Sequence, residues 1–207
     1  MILIGFDPSL TATGYAVLRD TNKKVRDRFD PEHGELIAAG RIVPDGESKD
    51  YPARLRSLAL EAKALIDEHE ATIVVAELPS THGHNSGSKS GTYHTGQPIY
   101  GSAVGAVLAV ACLPGNLSTV LAIVPPRVLA YAVDVWTRSL PREVMRTRDD
   151  PDKTRRVQHA AHLYRLNPED FGAKSNAGDV ADAVLLARYA LLRVKSDAQV
   201  ELWKANG

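Results

Sequence analysis

The chain has 207 residues, 44% of them apolar, and its 25 Lys and Arg balance 25 Asp and Glu. That is the length of one ordinary domain with insertions, with apolar content enough for a real core, and it excludes global disorder. A net charge of +0 excludes a blanket of positive charge while leaving room for a local basic face, and no apolar run approaches the ~18 residues of a membrane span.

The single cysteine, Cys112, excludes an internal disulfide. Within the apolar run SAVGAVLAVACL it is expected to be a small buried residue. Such cysteine usage suits a reducing compartment, and no basic stretch with a cleavage site predicts a signal peptide, so a cytoplasmic protein is expected.

In chain order, Ile2–Asp7 and Gly14–Leu18 read as two strands joined by a tight Asp-Pro-Ser turn. Residues 19–33 are charged and lack an apolar period, which predicts a hairpin tip or inserted loop. GELIAAGRIV is a third strand with a weak point or bulge at Gly40, completing an antiparallel meander. Leu55, Leu58, Leu65 and Ile66 then recur at helical spacing within DYPARLRSLALEAKALIDEHEA. TIVVAELP is a continuous apolar run ending at Glu77, the pattern of a central strand covered on both faces.

The segment 79–95 is rich in Gly, Ser, Thr and His and reads as a loop; its His82, His84 and His94 fit no closed zinc site. QPIYGSAVGAVLAVACL is a small-residue helix, STVLAIVPP a further strand and RVLAYAVDVW a short helix. Residues 137–150 form another polar, basic insertion. DPDKTRRVQHAAHLYRL is a helix capped by Asp150 or Asp152, and NAGDVADAVLLARYALLRV is the last strong helix. Three strands followed by alternating helices and strands predict a single α/β domain with a mixed sheet flanked by helices.

Four acids stand out against this pattern. Asp7 and Glu77 each end an apolar strand, while Asp179 and Asp182 share one face of the last helix. Asp182 sits among apolar neighbours, where an acid needs a partner. If all four converge, their repulsion requires cations, and clustered carboxylate oxygens suit Mg²⁺ or Mn²⁺. Between Arg138 and Arg165, eight Lys or Arg face four Asp or Glu, a local basic surplus.

The stretches IGFDPSLTATGYAV, VVAELP, GQPIYGSAVGAVLAV, DKTRRVQHAAHLYRL and GDVADAVLLA occur in an order that resembles the RuvC family of Holliday-junction resolvases. The resemblance covers most of the chain and extends to viral or phage members. It implies an RNase H-like five-stranded sheet and a homodimer acting on four-way junction DNA, in the bacterial nucleoid or a phage-infected cytoplasm. It also implies a nuclease site of Asp7, Glu77, Asp179 and Asp182 holding two Mg²⁺ or Mn²⁺ ions, with Lys153 near the cut. Gln97 falls in the family's Gly-Gln stretch, and Arg127 is the cation nearest the family's second lysine. Lys89, Arg155 and Arg156 join Lys153, Arg127 and Gln97 as expected DNA contacts. The 79–95 loop is longer than the family's and is expected to project toward the junction centre.

Two other readings share features. Actin-like and sugar-kinase ATPases carry the first motif, but they need two such domains and a Gly-rich adenosine motif; hence no nucleotide cofactor is expected. A relative that cuts other branched DNA or structured RNA stays open on sequence alone.

Overall fold

The computed structural model describes residues 1–21, 34–47, 49–78, 96–113, 126–144 and 153–206; of residues 96–100, 174, 175, 203 and 206 it describes the backbone only. Five strands form one sheet: β1 (Ile2–Asp7), β2 (Thr13–Asp20), β3 (Gly34–Ile42), β4 (Ile73–Leu78) and β5 (Arg127–Ala132), in the order β3-β2-β1-β4-β5. β1, β2 and β3 pair antiparallel, and β4 and β5 extend the sheet parallel to β1. The expected mixed sheet is therefore present.

Alternation divides the sheet into two buried faces. Leu3, Ala16, Leu18, Ile73 and Val75 point to one side, where α4 (Thr154–Tyr164) and α5 (Lys174–Asn206) cover them. Ile4, Phe6, Val17 and Val74 point to the other, beneath α1 (Tyr51–Glu68) and α2 (Gly96–Ala111). This double burial explains the unbroken apolar runs of β1 and β4. A short α3 (Val133–Thr137) follows β5 directly. Among the described residues, no helix is long and apolar enough to cross a membrane.

Several expectations need correction. RVLAYAVDVW is not one helix: its first six residues are β5, and only Val133–Thr137 turn helical. β5 is an edge strand, half-covered, and its small Ala130 and Ala132 hide the period of two. The expected strand STVLAIVPP lies, except for Pro126, outside the described residues, as do most of the 19–33 insertion, the 79–95 loop and 145–150. α4 begins later than expected, with Lys153 rather than an Asp at its N-cap, and α5 continues well past Val194. The irregularity in the β2–β3 ladder falls at Val17/Leu18 rather than at Gly40. Cys112 is exposed, because it lies just beyond α2 on the outward line of Gly105 and Ala109.

Candidate active site

Register and alternation bring Asp7 and Glu77 together. Phe6 stands beside Ala76 on parallel strands, so the next step sets Asp7 beside Glu77 at both C-terminal ends, with the strands about 4.8 Å apart. Both acids alternate in step with Leu3, Ile73 and Val75, so both face the α4–α5 layer. The turn after Asp7 is fixed from two sides. Thr13 Oγ1 donates to the Ser9 carbonyl at 2.9 Å and accepts from the Ser9 N–H at 3.0 Å, while Arg54 Nε donates to the Leu10 carbonyl at 2.9 Å.

α5 delivers Asp179 and Asp182, and glycines in the sheet let it come close. Gly14, the β2 partner of Asp7, has no room for a Cβ, which would collide with the Asp179 carbonyl. At Gly5 a Cβ would lie 2.8 Å from both the Ala183 carbonyl oxygen and the Ala187 Cβ. The helix carrying the second acid pair thus rests on bare backbone.

Lys153 closes the cluster from α4. It holds a left-handed backbone, φ 57°, at the N-cap, a conformation that costs a non-glycine residue on the order of 1 kcal/mol. Its carbonyl accepts from the Arg156 and Val157 N–H groups at 3.0 and 3.1 Å. Its Nζ stands 2.6 Å from Asp182 Oδ2, 3.1 Å from Asp179 Oδ1 and 3.6 Å from Asp7 Oδ2. One ammonium group therefore bridges three carboxylates, drawn from the first strand and the last helix.

Burial and mutual repulsion mark the acids. Asp7, Glu77 and Asp182 are buried. Desolvation, then the Glu77 charge, push the Asp7 carboxyl well above the usual range, against the pull of Lys153. Glu77 is pushed up to about 7, by burial first and Asp182 second. Burial alone would lower the Lys153 pKa, but Asp182, Asp7 and Asp179 together outweigh it and raise it. Two carboxylates beside an ammonium resist ionising chiefly because they are buried, with repulsion between the acids adding to the effect.

As the side chains stand, no group of three described His, Cys, Asp or Glu residues is set to hold a metal ion; the point on which three of the acids converge is the Lys153 ammonium. The donor chemistry nevertheless fits a hard divalent cation. Fully ionised, the four carboxylates would exceed by two charges the cationic side chains that pair with them among the described residues, Lys153 and Arg156.

The expected DNA contacts fare unequally. Arg156 is a correction: it is 5% exposed, turned inward, with Nη1 on Asp182 Oδ1 at 2.9 Å. An ion pair in the interior, rather than phosphate, claims its charge. Arg127 is exposed. It opens β5 beside Ile73, four residues before Tyr131, the partner of Glu77, so it lies roughly 13 Å along the strand from the acids. Arg155 is exposed on α4, close to Lys153. Gln97 lies in the first turn of α2, where only the backbone is described, and Lys89 is outside the described residues. Sequence reasoning missed Trp136, whose Nε1–H donates to Glu77 Oε2 at 2.9 Å. The available signal was an indole in an apolar segment, whose N–H needs a buried acceptor.

A mixed sheet with acids at the ends of β1 and β4, closed by a helix carrying two more, is the RNase H-like fold. No family model and no curated protein sequence matches the chain. Solved structures do. Thermus thermophilus RuvC aligns over 95% of this chain and 97% of its own, with a TM-score of 0.59 and 14% identity. T. thermophilus RuvC in complex with Holliday junction substrate aligns over 95% and 96%, again at 0.59 and 14%. The yeast mitochondrial Holliday junction resolvase Ydc2 aligns over 99% of this chain and 84% of its own, at 0.55 and 12%. The fold is thus that of RuvC, reached with little shared sequence.

Proposed function

We propose that this chain is a metal-dependent endonuclease that resolves four-way DNA junctions. The observation that carries the reading is the convergence of Asp7, Asp179 and Asp182 on one cation, beside Glu77, within this fold. The similar structures include a RuvC–junction complex and a junction resolvase, which supports the choice of substrate.

In this reading Asp7, Glu77, Asp179 and Asp182 would hold two Mg²⁺ or Mn²⁺ ions. Bound there, the ions supply an activated water and a stabilised leaving oxygen for phosphodiester hydrolysis. Lys153, whose ammonium stands at the carboxylates, would offset charge developing on the phosphate. Arg155, exposed on the same helix, contacts the phosphate backbone and fixes register without reading sequence. The products are nicks with 5′-phosphate and 3′-hydroxyl ends.

A junction offers two symmetric strands, so two sites are needed, and a C₂ dimer supplies them most simply. The outward face of α2 supports such a pairing: Gly101, Gly105 and Ala109 are exposed, and among the described residues nothing beyond the local helix lies within 4 Å of a Cβ built at either glycine.

The test is a synthetic four-way junction incubated with Mg²⁺ or Mn²⁺ and mapped strand by strand. Paired nicks at symmetric positions, with linear duplex left intact, are expected. Equal cutting of duplex, or no cutting with either ion, would sink the proposal, and preference for hairpin RNA would redirect it to structured RNA.

A further inference from the structure

Behind the carboxylates runs a second, buried line of side chains. Trp136, fully buried in α3, donates its indole N–H to Glu77 Oε2 at 2.9 Å. The Arg156 guanidinium lies over the Trp136 ring, 5.5 Å from its centroid. Arg156 Nη1 then donates to Asp182 Oδ1 at 2.9 Å. The line Glu77–Trp136–Arg156–Asp182 therefore links β4 to α5 through α3 and α4.

We infer that Trp136 and Arg156 are positioning residues, which fix the Glu77 and Asp182 carboxylates for cation binding before any cation arrives. The inference rests on the metal-dependent nuclease reading above. Asp182 shows the division of labour: Oδ1 faces inward to Arg156, while Oδ2 faces the cluster and meets Lys153. Glu77 is held in the same manner, with Oε2 assigned to the indole. Packing alone would not select this arrangement. A buried charge is costly even when paired, and Arg156 Nε finds no hydrogen-bond partner. An apolar side chain of similar volume would fill the space at lower cost. What it would lack is a donor aimed at the back of an acid. Outer partners of this kind set the orientation of metal ligands and are worth about 10- to 100-fold in metal affinity or activity.

The test compares Trp136→Phe, Arg156→Met and Arg156→Lys in the full chain. Mn²⁺ affinity is measured by calorimetry without DNA, junction affinity in EDTA, and cleavage across a Mn²⁺ titration. Trp136→Phe keeps an aromatic ring beneath Arg156 and deletes the donor together with the five-membered part of the indole. It should bind Mn²⁺ about 10- to 100-fold more weakly, bind the junction as before, and regain its cutting rate at high Mn²⁺. Arg156→Met should lose Mn²⁺ affinity similarly, and Arg156→Lys should recover part of it. Unchanged Mn²⁺ affinity in Trp136→Phe, beside a wild type that binds the ion, overturns this inference alone. A wild type that binds no Mn²⁺ overturns the nuclease reading, and this inference with it. If Trp136→Phe does not fold, NMR of the wild type decides. The chain has two tryptophans, and the Trp136 indole N–H signal should move on adding Mg²⁺, but not in Glu77→Gln. An unmoved signal in the wild type overturns the inference.

Discussion

Asp182 carries two cations at once, Lys153 on one oxygen and Arg156 on the other, and is itself 2% exposed. Asp182→Ala leaves the buried Arg156 without its carboxylate, so a stability loss of about 3–5 kcal/mol is expected by denaturant unfolding. Asp7 behaves oppositely. Its raised pKa says that the charged form is disfavoured in the metal-free fold. Asp7→Asn should therefore abolish cleavage, keep junction binding and raise the melting temperature in EDTA. Glu77 sets the pH dependence. Its folded pKa of about 7 lies above the ordinary glutamate value of 4.5, so the folded state holds the proton longer. Its contribution to the stability of the metal-free protein should fall as pH rises from about 4.5 to 7 and level off above, and the raised Asp7 carboxyl acts in the same direction. Bound Mg²⁺ favours the ionised form, so its stabilising increment should grow across that window; a constant increment from pH 5 to 8 would contradict the assignment. Lys153→Ala should slow cutting by about 10²- to 10³-fold with only a modest loss of junction affinity. Equal losses in both would make Lys153 a simple binding residue.

At the scale of elements, the approach of α5 to β2 is the critical contact. Gly14→Ala places a Cβ against the Asp179 backbone, and overpacking of this kind costs about 1–3 kcal/mol. Because Asp179 is the residue displaced, Mn²⁺ binding should weaken even where the variant stays folded; unchanged binding would show that α5 can shift without disturbing the acids. The same elements show what the sequence made legible. Asp7 and Glu77 could be found because each ends an apolar strand, and Asp182 because it interrupts an apolar helix. β5 could not, since edge position and small residues erased its alternation and RVLAYA borrowed the look of the helix after it. Arg156 was misplaced because a basic residue beside Lys153 and Arg155 reads as surface. Only the turn of α4 shows that Arg155 faces solvent while Arg156 faces Asp182.

For the whole molecule, the proposed dimer is the feature with the widest reach. Gly105→Arg starts from an exposed position of α2, where an added Cβ meets no other described part of the fold within 4 Å. The variant should keep its melting temperature and Mn²⁺ affinity, become a monomer by light scattering, and lose paired cutting while still nicking singly. A variant that stays dimeric would move the interface away from α2. The local basic stretch from Arg138 to Arg165 overlaps α4, with Arg155 outward and Lys153 at the acids. Junction affinity should therefore fall steeply with salt despite the balanced net charge.

The order of the acids along the chain has a consequence for synthesis. The first is residue 7 and the last is residue 182, and the helix bearing the last pair also covers one face of β1. On the ribosome, the sheet emerges long before that cover. A growing chain thus lacks Asp179 and Asp182, and exposes the Leu3, Ala16 and Val75 face to its neighbours. A chain halted at residue 173, before α5, should bind a hydrophobic dye and aggregate without ever cutting. The completed α5 covers that face and brings the last two acids to the cluster in one step.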